Sequence, residues 1–342
     1  MSKQVTLREV AHEAGVHIST ASRALNPETR AIVNTETVER VLATARRLGY
    51  RPHPLAQGLR KNRTMSVGMV IPDIENPLFG PIIGGAGQVL GSEGYSLLIT
   101  NTDINEDQTG EVVRALVERR VDGIILATAS RSDDVIVDLV ERGVHTVLVN
   151  RSTEGVQVPA IIGDDVAGIG LAVDHLVALG HRRIGHLAGP QHLSTGLGRY
   201  QAFLTRMQSL NLDVSASAVE AAIWYQVDPG YKAAQRLVER RPDLTAIVAA
   251  NDLIALGCYR AVRESGREIG VDVSITGYND IPLLDLMQPP MTSVRVPYRQ
   301  MGVEAANTLL PMMASSSYQG RPVSIRLTPI LSVRESTGPA PP

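Results

Sequence analysis

Two sets of side chains in this sequence could carry recognition chemistry. The first is concentrated in ISTASR, which supplies Ile18, Ser19, Thr20, Ser22 and Arg23. Short hydroxyls reach phosphate oxygens or base edges, and a guanidinium matches guanine O6 and N7 with two hydrogen bonds. The alternative is a plain helix with a solvated polar face. The second set is scattered: Asn76 and Phe79 in PDIENPLF, Asn150 and Arg151 after HTVLV, Arg199 past IGHLAGP, Tyr225 after AAIW, Asn251 and Asp252 after AIVAA, and Asn279 after SITGY. Amides, guanidiniums and carboxylates beside aromatic faces suit a polyhydroxyl molecule, because each hydroxyl both donates and accepts and each pyranose has an apolar CH face. Taken singly, Asn251, Asp252 and Asn279 read equally well as helix caps or turn residues.

Catalytic chemistry finds less support. No GxxxxGK, HExxH or GxSxG occurs, and GIGLAV from Gly168 has Val173 where a dinucleotide loop needs its third glycine. His181 and His186 in GHRRIGH flank the start of a strand and read as turn or surface residues, not metal ligands. The single cysteine, Cys258, excludes an intramolecular disulfide and reads as a small apolar filler in a helix. We therefore expect no enzyme, no catalytic residue, no metal and no cofactor.

Positioning the first set requires a helix, and its surroundings supply three. Thr6 precedes LREVAHEAG, where Leu7, Val10, Ala11 and Ala14 share a face and Glu9 completes a capping box. This predicts a helix from Leu7 to Ala14, ending at Gly15. After a turn at Val16 and His17, ISTASRALN forms a second helix with Ala21, Ala24 and Leu25 inward. TETVERVLATARRLGY forms a third, capped by Thr35, with Val38, Val41, Leu42 and Ala45 as its stripe. Two short helices about a Gly-containing turn are a helix-turn-helix. The net charge of −2 conceals a division: residues 1–63 hold eleven Lys/Arg against five acids, and the remainder holds 22 against 30. A basic head on an acidic body implies that the head alone meets a polyanion.

The run VTLREVAHEAGVHISTASRALN, followed by VNTETVERVLATARRLGYRPHPLAQGLRKNRTMSVGMVIPDIENPLF, resembles the lactose/galactose-repressor (LacI/GalR) family of bacterial regulators, and the likeness extends over nearly the whole chain. It implies that Ile18, Ser19 and Arg23 read bases while Thr6, Thr20 and Ser22 contact the DNA backbone. His17 stands where Ser is usual and Ala21 where Val is usual, which leaves operator binding intact and alters the turn. RPHPLAQGLRKNRT alone reads as a Pro-punctuated basic linker. The resemblance makes PLAQGL a hinge helix formed on DNA, with Leu59 wedged into the minor groove. Pro54 suits its first turn, but Gly58 costs about 1 kcal/mol relative to Ala in a helix, so ordering should await DNA.

The second set needs strand ends. With 342 residues, 44% hydrophobic and 20% charged, the chain can build two or three soluble cores, which 4% aromatics make aliphatic. SVGMVIP, YSLLITN, VDGIILA, HTVLVN and AIIGD read as buried parallel strands alternating with helices, and IGHLAGP, AAIWY, AIVAAND and VSITGYND form a second series. The expected fold class is α/β: an all-α helix-turn-helix head and a two-lobed, doubly wound parallel-sheet body like that of periplasmic binding proteins. Expected boundaries are 1–50 for the head, 51–63 for the hinge, 64–163 with 294–323 for the N-terminal lobe, and 164–293 with 324–342 for the C-terminal lobe. Three crossings would link the lobes.

Further expectations come from the resemblance and the chain ends. Asn279 where Asp is commonest, and Leu193 where purine-type members carry Arg, favour a neutral sugar or related metabolite as effector over an anion. No apolar region marks a secretory signal, and no apolar run approaches the roughly 18 residues of a membrane span, so the chain should stay in the cytoplasm. STGPAPP after Glu335 carries no heptad, pointing to a homodimer. The expected function is a repressor that binds double-stranded operator DNA under allosteric control by the effector. The competing reading is a free-standing sugar-binding protein.

Overall fold

The computed structural model describes residues 5–26, 29–50, 63–103, 106–314 and 323–342, and it falls into two compact units, Met1–Met65 and Ser66–Pro342. In the head, α1 (Leu7–Glu13) begins on a complete capping box: the Glu9 N–H donates to the Thr6 hydroxyl and the Thr6 N–H to the Glu9 carboxylate. Helix α2 (Ile18–Leu25) is capped by the His17 imidazole. Helix α3 (Thr35–Leu48) is capped by Asn34, not Thr35, because the Asn34 carboxamide oxygen lies 2.9 Å from the Glu36 N–H. Val10, Ala11, Ala14, Ala21, Ala24, Val38, Val41 and Ala45 form the head's core. Five of the eight are alanines, which let short helices approach closely enough to exclude water.

The body holds two six-stranded sheets. Its strands are β1 (Ser66–Ile71), β2 (Ser96–Asn101), β3 (Gly123–Leu126), β4 (Thr146–Val149), β5 (Ala160–Gly163), β6 (Ile184–Ala188), β7 (Val219–Ala221), β8 (Ala246–Ala249), β9 (Ser274–Asn279), β10 (Thr292–Arg295), β11 (Ser324–Leu327) and β12 (Ile330–Ser332). Its helices are α4 (Phe79–Ser92), α5 (Glu106–Glu118), α6 (Asp134–Glu141), α7 (Asp165–Ala178), α8 (Ser194–Ser209), α9 (Val227–Arg240), α10 (Asp252–Glu264) and α11 (Tyr298–Ala314). The first sheet runs β11-β5-β4-β3-β1-β2 and is wholly parallel. The second runs β12-β10-β9-β8-β6-β7, with β12 antiparallel to β10. Helices cover both faces: Val67, Met69 and Ile71 of β1 pack in one cluster with Ile82 and Met301, while Val70 packs in another with Val113 and Ile136. This explains why β1 reads as a continuous apolar run without alternation.

The chain crosses between lobes after β5, after β10 and after β11. The last crossing corrects the expected boundary, which assigned 324–342 to the C-terminal lobe. Strand β11 pairs in parallel with β5, from Ser324 against Ala160 to Leu327 against Gly163, so the crossing falls after Leu327. Nothing in SIRL distinguishes one apolar sheet edge from another. The strand read in AAIWY is also shifted: β7 ends at Ala221, which leaves Trp224 and Tyr225 in the following loop.

Helices α4 and α11 pack backbone to backbone. A Cβ on Gly85 would collide with the Arg299 carbonyl oxygen, and one on Gly302 with the Ile82 carbonyl oxygen. Neither obstacle is a flexible side chain. Gly85→Ala and Gly302→Ala should each destabilise the body by about 1–3 kcal/mol, because overpacking between backbones cannot relax by rotamer change. Denaturant melts with an unchanged m-value would show this.

Candidate functional site

The strand order reverses around β1 in the first sheet and around β6 in the second, and ligands of such sheets bind outside the carboxyl ends of strands at these points. Here both sheets open on one cleft. From the N-terminal lobe, Asp73, Asn76 and Phe79 enter after β1, and Asn150 and Arg151 after β4. From the other lobe come Leu193, Thr195 and Arg199 around the start of α8, Trp224, Tyr225 and Gln226 after β7, Asn251 after β8, and Asn279 at the end of β9.

Eight of the nine expected cleft residues therefore converge, and several serve two purposes. Asn251 caps α10, its Oδ1 accepting the Ile254 N–H at 2.8 Å, and also lines the cleft. Asn76 Oδ1 accepts the Leu78 N–H at 3.2 Å. Asn279, at φ 117°, accepts the Tyr298 hydroxyl at 2.6 Å. The cap and ligand readings of these residues are thus not exclusive. Arg199, 4% exposed, donates from Nε to Asp165 at 2.8 Å and from Nη1 to the Ala250 carbonyl at 2.7 Å. Its Cζ lies 3.9 Å from the Tyr278 ring centroid. Burial opposes the charge, but Asp165 and the surrounding tyrosine hydroxyls hold it firmly protonated.

Asp252 is the exception. It is fully buried and absent from the cleft wall, with Oδ1 accepting the Ser293 hydroxyl at 2.6 Å and Oδ2 the Ile281 N–H at 2.9 Å. Consecutive residues at a helix start diverge: the cap faces the cleft and the next side chain turns under the floor. Sequence reasoning missed Asp73, Thr195, Trp224 and Gln226. Trp224 is the chain's only tryptophan; placing AAIWY in a strand hid it. His192 meets its ring edge-on, with centroids 5.7 Å apart.

Beside the cleft the lobes touch. The Arg131 N–H donates to the His192 carbonyl at 3.1 Å, its guanidinium to the Gln191 carbonyl at 3.4 Å, and the Ser152 N–H to the Ser194 hydroxyl at 2.9 Å.

The other singled-out residues are structural. Gly168 makes room for the Tyr278 ring. His181 and His186 are buried, contrary to the turn or surface reading: His181 bonds Thr245 and the Gly338 carbonyl, and His186 donates to the Val248 carbonyl and stacks on Phe203. Burial pulls the His186 pKa down to about 4, so it is neutral. Cys258 is likewise enclosed, its thiol pushed up to about 12 by burial.

In the head, Ile18 and Arg23 are exposed on α2, and Ser19, Thr20 and Ser22 are partly so; Thr6 is exposed at the start of α1. Thr6 is engaged with Glu9, which leaves its backbone-contact role open. Leu59 and the hinge lie outside the described residues.

Residues 6–53 match the family model described as bacterial regulatory proteins, lacI family, and residues 173–337 match that of a periplasmic binding protein-like domain. The HTH-type transcriptional regulator MalR of Streptomyces coelicolor is 36% identical over 98% of this chain and 97% of its own. The structure of the lac repressor dimer bound to operator and the anti-inducer ONPF superposes with a TM-score of 0.86 at 26% identity, covering 98% of this chain and 100% of that one. That of a transcriptional regulator CelR-cellobiose complex gives 0.73 at 31% identity, covering 97% and 100%.

Burial raises the Asp252 pKa to about 7, partly offset by its bonds to Ser293 and Ile281. A carboxyl with a raised folded-state pKa adds stability that is complete below its unfolded value of about 3.9 and disappears as pH rises through about 7. Asp252→Asn, which keeps an acceptor for Ile281, removes that dependence. Thermal melts at pH 5 and pH 8 should show the wild type losing more stability than the variant between the two; equal losses would refute the assignment.

Proposed function

The chain belongs to the LacI family of bacterial regulatory proteins and is a DNA-binding transcriptional regulator; on that premise we propose that it represses transcription as a homodimer on a palindromic operator, released or tightened by a neutral sugar in the interlobe cleft. The observation that carries the ligand class is the balance of the cleft lining, in which Arg199 is paired with Asp165 and Arg151 lines the same cleft as Asp73. The Arg199 guanidinium gives Nε to Asp165 and Nη1 to the Ala250 carbonyl, so its charge is met by a carboxylate within the protein. Beyond these charges the lining presents carboxamides from Asn76, Asn150, Asn251, Asn279 and Gln226 together with the Phe79, Trp224 and Tyr225 rings. That is the complement of hydroxyls on an apolar ring. In this reading Ile18, Ser19 and Arg23 face bases, Thr6, Thr20 and Ser22 face the backbone, and Leu59 enters the minor groove. The regulator acts in the cytoplasm and binds its effector without turning it over. Among the described residues no helix is long and apolar enough to cross a membrane.

Ligand and DNA bias one equilibrium of lobe closure, with a coupling of about 1–3 kcal/mol expected for such proteins. Titration calorimetry with neutral mono- and disaccharides, sugar acids and purine bases tests the ligand class. A neutral saccharide should bind, and Trp224→Ala should weaken it about tenfold or more through loss of its ring platform; a preferred ligand bearing a carboxylate or phosphate would overturn the proposal. Selection from random duplexes at fixed salt tests the head. A palindrome should emerge, and Arg23→Ala should cost about 1–3 kcal/mol of specific binding while leaving salt-sensitive nonspecific binding in place.

A further inference from the structure

We infer that His17 is a positioning residue that fixes the Ser19 hydroxyl as a hydrogen-bond acceptor, so that Ser19 reads the exocyclic amine of adenine or cytosine in the major groove. The inference rests on the reading of Ser19 as base-facing. His17 Nδ1 lies 3.3 Å from the Ser19 backbone N–H, which donates to it, and 2.8 Å from Ser19 Oγ. A backbone N–H can donate only to an unprotonated ring nitrogen, so the proton of the neutral imidazole sits on Nε2. The Ser19 hydroxyl must then supply the hydrogen of the 2.8 Å contact. A serine hydroxyl has one hydrogen and two lone pairs. With the hydrogen turned back to His17, only lone pairs remain for the DNA.

The consequence is a choice among base atoms. An unconstrained serine bonds to major-groove donors or acceptors alike. An acceptor-only hydroxyl is limited to adenine N6 and cytosine N4, because guanine O6, thymine O4 and purine N7 only accept. His17 thus caps the recognition helix and sets the polarity of its second residue with one ring nitrogen.

The test uses the full chain and an operator obtained by duplex selection. The base pair read by Ser19 is the one at which Ser19→Ala levels the preference. At that pair, adenine is replaced by purine or cytosine by 2-pyrimidinone, which deletes the amine, and in separate duplexes the purine is replaced by its 7-deaza analogue. Deleting the amine should raise Kd roughly three- to tenfold for the wild type, the size of one net hydrogen bond, and leave Ser19→Ala unaffected. The 7-deaza duplex should bind the wild type unchanged. His17→Ala should lose the amine dependence yet keep the preference that Arg23 confers, which a collapsed head would not. Sensitivity to N7 instead of the amine, or an amine dependence that survives His17→Ala, overturns the inference; so does the lack of any Ser19-dependent pair while Arg23→Ala still abolishes the motif. Should His17→Ala fail to fold by circular dichroism, the wild-type response to the two analogues decides alone. If the wild type selects no motif, the operator reading itself fails and the inference with it.

Discussion

A guanidinium keeps its charge even when withdrawn from water, so burying one requires partners inside the protein, and the C-terminal lobe is arranged around supplying them to Arg199. Its partners come from three places: Asp165 at the start of α7, just after the first crossing; the Ala250 carbonyl beyond β8; and the Tyr278 ring on β9. Satisfying one side chain thereby fixes three strand ends relative to α8. Gly168 belongs to the same arrangement, since any larger residue would displace Tyr278. Removing one partner from a buried pair costs more than the pair contributes, because the other charge is left unpaired.

The polar residues above that foundation are half-committed. Asn76, Asn251 and Asn279 each engage the carboxamide oxygen with the protein, through the Leu78 N–H, the Ile254 N–H and the Tyr298 hydroxyl. Their amide nitrogens are thereby oriented as donors. Tyr225 donates its hydroxyl to Thr195 at 3.2 Å, and its oxygen keeps acceptor capacity. A wall of fixed donors on a rigid base lowers the ordering cost of binding and favours oxygen-rich ligands over flat apolar ones.

Much of this was legible in the sequence because parallel sheets place function at predictable points: whatever follows a buried apolar run lies at the carboxyl end. That rule found Asn76, Asn150, Arg199, Asn251 and Asn279 without knowledge of how the lobes face each other. It failed where one residue of error matters. Asp252 follows β8 as closely as Asn251 does, but the first turn of α10 rotates it under the sheet. Trp224 was hidden by a strand read four residues too long. The pairing of β11 was illegible for another reason, since either sheet edge accepts a short apolar strand and the partner is set by where α11 delivers the chain. The His17 cap was seen only as a departure in the turn, because its consequence depends on which ring nitrogen faces Ser19.

The contacts that bridge the lobes were beyond sequence reading, because they run mostly through backbone atoms. Arg131 meets the Gln191 and His192 carbonyls, and the Ser152 N–H meets Ser194; no motif records a carbonyl. The Ser152, His192 and Ser194 ends of these bridges adjoin Arg151, Leu193 and Thr195, which line the cleft. A molecule that displaced or tightened those segments would change the bridges and so couple occupancy to lobe closure. A ligand can move that equilibrium only by its difference in affinity between the two arrangements. The three chain crossings would preserve connectivity through a change of lobe angle, whereas the bridges between the lobes are hydrogen bonds that such a change would break. On the proposed function, an effector would therefore act on the lobe angle through its fit to the residues beside these bridges, more than through the strength of binding at the cleft floor.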